Sequence, residues 1–145
     1  MIKDAARRLK KGATIGRLLP TYLLFGVLKH FIPLEWLVRW AWSPSTGPRD
    51  HEAQKNAVAC ASRLNRLLGF SDRDCVQRSL LLYKTLSRAG AEPRLVVGFD
   101  RTNGLIIGHA WIVIDGCPII EREDDLRRFS AAFSFGPRGA LSRNF

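Results

Sequence analysis

The apolar residues of the chain change their period part way along it. Between positions 51 and 68, Ala57, Cys60, Ala61, Leu64, Leu67 and Leu68 recur every three to four residues, the spacing of one helix face. Asp50 stands where such a helix is capped, and Gly69 where it stops. A second helix is expected over "FSDRDCVQRSLLLYKTLSRAG". Ser71 and Asp74 have the spacing of a capping box with Asp in place of Glu, Val76, Leu80, Tyr83 and Leu86 form the apolar face, and Gly90 closes the end. Beyond it the texture becomes β-like: "RLVVGF", "LIIGHAWIVI" and "CPII" are short runs separated by "DRTNG" and by the hairpin-type pair "DG". They predict an antiparallel meander of three strands.

Ahead of these elements, residues 18–42 read as helical pieces interrupted at Pro20 and Pro33. The apolar run "LLPTYLLFGVL" is eleven residues long, against about 20 for a membrane span, and no small-x-small cleavage site follows promptly. Packing on the domain accounts best for the aromatics of "HFIPLEWLVRWAW", with peripheral contact to a membrane or partner as their other use. "SPSTGPRD", residues 43–50, is a turn-rich connector. The fold class is therefore α+β, a helical N-terminal half followed by a small antiparallel sheet. A chain of 145 residues holds one domain with a real core. That domain is expected over 1–145, with a basic, aromatic-rich helical region at 1–48 and a core at 49–145.

Charge narrows the partners only partly. The formal charge is +10, and residues 1–50 carry nine Lys or Arg against three acids. Such a chain attracts nucleic acid, an anionic membrane surface or a carboxylate-rich peptide. No nucleic-acid motif accompanies the charge and the aromatics do not alternate with basic residues, so no nucleic-acid partner is expected. Cys60, Cys75 and Cys117 are too few and too scattered for a disulfide framework, and no CxxC pair suggests zinc. Neither metal nor cofactor is expected, and free thiols fit a reducing, cytoplasmic setting.

The chemistry lies in "GHAWIVIDG". His109 opens an otherwise apolar strand, while Cys75 falls in the first turn of its helix, where free N–H groups and the helix dipole stabilise a thiolate. Cysteine and imidazole together are the equipment of a nucleophile that attacks a carbonyl carbon. A third group should orient the ring. Asp115 is six residues along the strand, roughly 20 Å from His109, and reads as a turn residue. If the chain reverses at Asp115-Gly116, Glu121 returns beside Ala110 in a strict two-residue hairpin and opposite His109 with a one-residue shift. In the strict hairpin Arg122 faces the side of His109. A bulge near Cys117-Pro118 restores Glu121, and Glu123 is the alternative for another loop length. Backbone N–H of Cys75 and the side chain of Gln77 are candidate oxyanion donors, and Gln77, Arg78 and Trp111 are candidate substrate-binding residues. Arg78, one turn beyond Cys75, is placed to stabilise the thiolate or to bind Asp72 or Asp74. Trp111 shares the face of His109 and either shields the site, lines a peptide groove or packs in the core.

"DCVQRSLLLYKTLSRAGAEPRLVVGF" followed by "GHAWIVIDGCPIIE" resembles the transglutaminase-like cysteine peptidases of lasso peptide biosynthesis, the stand-alone leader-peptidase (B2) type. The Cys-x-x-Arg-Ser-Leu and Gly-His-Ala-Trp runs are the specific parts. The resemblance implies a papain-like core, with Cys75 as nucleophile, His109 as base and Glu121 at the family's acidic position, where Glu departs from Asp. It implies cleavage of the leader from a ribosomally made precursor peptide, a separate leader-recognition protein, and an ATP-using cyclase that closes the freed core peptide into a lasso. The chain is expected to carry no recognition domain of its own. Acyl or amide transfer on the same fold, and a non-catalytic basic binding module, are the competing expectations.

Overall fold

The computed structural model describes residues 2–69 and 74–143. Its helices are α1 (Ile2–Leu28), α2 (Leu34–Ala41), α3 (His51–Leu67), α4 (Cys75–Arg88) and the single turn α5 (Glu123–Leu126). Its strands are β1 (Arg94–Thr102), β2 (Leu105–Ile114), β3 (Cys117–Pro118), β4 (Ser130–Phe135) and β5 (Leu141–Ser142). They form one antiparallel sheet in the order β3-β2-β1-β4-β5.

Helix α4 is the centre of the core. Leu80, Tyr83 and Leu86, three of the four residues of its expected face, are fully buried and pack with Leu95, Val97, Ala110 and Ile112 of the sheet. Tyr83 carries a second duty: its hydroxyl donates to the Gly136 carbonyl at 2.6 Å and accepts from the Gly139 N–H at 3.0 Å. These buried bonds tie the helix to the loop after β4. Asp50 caps α3, its carboxylate accepting from the Ala53 N–H at 2.9 Å. Ala57, Cys60, Ala61 and Leu64 point inward as the period predicts, but Leu67 and Leu68 at the end of the run face solvent. The expected Ser71 cap of α4, and Asp72, lie outside the described residues; at Asp74, the position before α4, no side-chain capping bond forms.

Three expectations are corrected. Pro20 does not divide the N-terminal helix, because α1 runs through it. An internal proline costs roughly 3 kcal/mol, and burial of Tyr22 and Phe25 against the rest of the molecule offsets that loss. Secondly, the apolar residues of "HFIPLEWLVRWAW" divide, and most of its aromatics do not pack on the domain. Leu37, Val38 and Ala41 of α2 enter the core, whereas Phe31, Trp36 and Trp40 stay largely exposed. Thirdly, the sheet has five strands and is not a simple meander. After β3 the chain crosses the sheet and enters as β4 on the far side of β1.

The β2–β3 connection is a strict two-residue hairpin. Ile114 pairs with Cys117 and Val113 with Pro118, with Asp115 and Gly116 both at positive φ, as a type I′ turn demands. Asp115 is indeed a turn residue, and its carboxylate accepts from Arg49 at 2.7 Å. No helix among the described residues is long and apolar enough to cross a membrane.

Candidate active site

Strand β3 ends after two residues, and this early stop makes the site. In an antiparallel strand every second residue turns its N–H and C=O toward one neighbour. On the side of β2 away from β1, Ile114 and Val113 are matched by β3, and the Ile112 carbonyl accepts from the Ile119 N–H at 3.0 Å. The next outward-facing residue, Ala110, is met by a helix. Ser79 Oγ donates to its carbonyl at 3.1 Å, and its N–H donates to the sulfur of Cys75. One turn of α4 thus takes the place of a missing strand and sets the thiol beside His109, with which it is hydrogen-bonded.

Glu121 completes the group by a route other than the expected bulge. The strict register would lay it beside Ala110. Instead the chain leaves the ladder after Pro118 and bends over 119–121, which brings Glu121 Oε1 to 3.5 Å from His109 Nε2. The same oxygen takes an ion pair from Arg78 Nη2. Arg78 therefore neither reaches out to Asp74 nor stays in solvent. Glu123 begins α5 and is exposed.

The electrostatics of the three groups are linked. Burial pushes the Cys75 thiol up, but the hydrogen bond to His109, the Ala110 N–H and the charges of His109 and Arg78 together hold it below its ordinary value. The hydrogen bonds with Cys75 and then Glu121 push His109 up to about 9, against the opposing effect of burial. Burial likewise raises the Glu121 carboxyl, and the His109 hydrogen bond and Arg78 charge outweigh it, so this carboxylate titrates below its usual range. A thiolate facing an imidazolium is the state these shifts favour.

Behind the ring, His109 stacks on Phe129 at 5.0 Å and on Trp111 at 6.0 Å between centroids. Trp111 is buried, and its ring lies over Gly98, where an added Cβ would come within 2.9 Å of it. It supports His109 from below. Gln77 is engaged elsewhere: its amide donates to the Tyr22 carbonyl at 2.7 Å and accepts from Lys29 Nζ at 3.4 Å. Its buried place between α4 and α1 corrects the expectation of a substrate-facing or oxyanion role. Lys29 also pairs with Asp74 at 3.1 Å, so the carboxylate next to Cys75 has its countercharge just past the end of α1.

A cleft of about 490 Å³ opens beside His109, walled by Arg78, Ile107, Glu121, residues 124–126, Arg128 and Phe129. Phe129 and the acidic wall at Asp124 and Asp125 were not legible as site residues, since "EREDDLRRFS" has neither helical nor strand period long enough to place it. Among the described residues no three His, Cys, Asp or Glu side chains group as a metal site.

A helix that delivers a cysteine to the edge of an antiparallel sheet, beside a strand-borne histidine, defines an α+β cysteine-histidine protein of transglutaminase-like architecture. The family model of the transglutaminase-like superfamily matches residues 20–134. The chain belongs to that superfamily, which includes cysteine peptidases and transferases. Neither curated proteins nor solved structures give a match.

Proposed function

We infer that the protein is a cysteine peptidase that removes the leader from a ribosomally synthesised precursor of the lasso type. The observation that carries the catalytic reading is the thiol at the start of α4, hydrogen-bonded to a histidine whose Nε2 faces an ion-paired Glu121. With one ring nitrogen held by the carboxylate, the other is left to exchange a proton with sulfur. The Cys75 thiolate attacks the scissile carbonyl carbon. As the tetrahedral intermediate collapses, the C–N bond breaks and His109 gives its proton to the departing amine. Water, deprotonated by His109, then attacks the thioester, the C–S bond breaks, and the acid product leaves with the Cys75 thiolate and His109 imidazolium restored. The leader-specific part of the reading rests on the resemblance of the Cys75 and His109 segments, and it assigns a leader-recognition protein and a lasso cyclase as partners.

Incubation with a candidate precursor and its leader-binding protein tests this. Cleavage by the wild type, and its loss by a factor on the order of 10⁴ or more in Cys75→Ala and His109→Ala, is the expected result. Cleavage by Cys75→Ala at the wild-type rate would overturn it. Turnover of the acyl-enzyme only on addition of an amine would instead assign acyl transfer.

A further inference from the structure

The edge of β2 does not end where α4 meets it. Outward-facing positions recur every second residue, so beyond Ala110 they fall at Gly108 and Ile106. Among the described residues no strand or side chain hydrogen-bonds to β2 there on the side away from β1. This stretch also lacks the devices that usually blunt an exposed edge, namely charges, prolines and bulges. It reads Leu105-Ile106-Ile107-Gly108, and the three apolar residues are 67, 66 and 40 % exposed. Gly108 itself has no side chain, so a neighbouring backbone can approach it closely.

We propose that the substrate is held as an added strand, parallel to β2, on this free edge, its backbone pairing with Ile106 and Gly108 so that it runs directly onto the sulfur of Cys75. The thiol occupies the ladder position at Ala110 that the next residue of a partner strand would take. Gly108 lies one outward repeat away, about 7 Å along the strand. A chain paired there has its following carbonyl delivered to the nucleophile. Side chains of alternate substrate residues fall toward the cleft at Ile107, residues 124–126 and Phe129. Main-chain pairing supplies affinity with little demand on sequence, the mode by which extended peptides join sheet edges. A second copy of the chain on the same edge would close off Cys75, so the occupant is the peptide being cut.

This inference rests on Cys75 being the nucleophile, and the test separates the two. The probes are iodoacetamide, which reads the thiolate alone, and the peptide reagent acetyl-Ala-Ala-Ala-Ala-chloromethyl ketone, together with its analogues N-methylated at one amide each. Rates of covalent labelling are read at Cys75 by mass spectrometry. Expected is a loss of about tenfold or more when a pairing amide is methylated, with a smaller effect at the amides between, so that the losses alternate along the peptide. Equal rates for all the methylated analogues, with iodoacetamide still reacting at Cys75, would overturn strand addition and leave the nucleophile standing. Failure of both reagents to label Cys75 would overturn the nucleophile and the strand addition with it.

Discussion

At the scale of single residues, Glu121 does more than orient a ring. One of its oxygens serves both His109 and Arg78, so the carboxylate stays ionised, and its charge in turn helps hold the proton on the imidazole. The reactive form needs Cys75 deprotonated and His109 protonated. Activity is therefore expected to rise as pH climbs through the lowered thiol value and to fall as pH passes about 9, where His109 loses its proton. Glu121→Gln removes an interaction that favours the imidazolium. Its alkaline limb should move to lower pH, with kcat/KM reduced by about tenfold, a pattern read from the pH profile of peptide cleavage. An unmoved alkaline limb would show that Glu121 does not act through His109. Cys75 and His109 were legible in the sequence because a helix start and a strand each leave a local mark. Glu121 was legible only as one of several acids, since its position depends on where β3 stops, and two residues of pairing leave no periodic trace.

Among the elements, the sheet supports the histidine from beneath. Gly98 sits opposite His109 in the β1–β2 register, and the absence of a side chain there admits the ring of Trp111. The β1–β4 pairing also shifts register between Val97 and Gly98, which lets the Ser130 carbonyl approach to within 2.9 Å of where a Cβ would stand. Gly98→Ala is expected to cost about 1–3 kcal/mol of stability through overpacking. It should also lower activity, as Trp111 is pushed against His109. Thermal unfolding and peptide cleavage measure the two losses, and a variant that melts like the wild type would refute the packing argument. β1, β2 and α4 could be read from the chain because each is long and has a clear period. β4, "SAAFSF", is short, rich in small residues and preceded by a run of charges, so nothing local distinguishes it from a loop. α1 shows the opposite failure: Pro20 is a strong local signal that tertiary burial overrides.

For the whole molecule, the N-terminal third is part of the core. Phe25, Leu37, Val38 and Ala41 are buried in the same cluster as Leu80, Tyr83 and Ile112, and Lys29 and the Tyr22 carbonyl engage the first turn of α4. A protein beginning at Arg49 is expected to lack cooperative thermal unfolding, because removing these side chains strips several buried residues worth about 2 kcal/mol or more each. A sharp melting transition in that fragment would mean that the core at 49–145 stands alone. Total charge, by contrast, says little about the site. The molecule carries +10, yet the cleft is of mixed charge, with Glu121, Asp124 and Asp125 lining it beside Arg78 and Arg128. Charge counts report how a protein approaches its partners; the sign of a cleft depends on a crossing segment that composition cannot locate.

The two bonds from α4 to Ala110 fix the phase of the helix. Cys75 and Ser79 are four residues apart, so both project from one side of the helix about 6 Å apart along its axis, and they grip the donor and acceptor of a single residue of β2. They work as a ruler laid between helix and strand. One residue inserted between them would rotate Cys75 by about 100° relative to Ser79, and the thiol would leave the histidine while the rest of α4 kept its seat. The interval between these two residues is thus under a stricter constraint than the apolar face of the helix, which can exchange one hydrophobe for another.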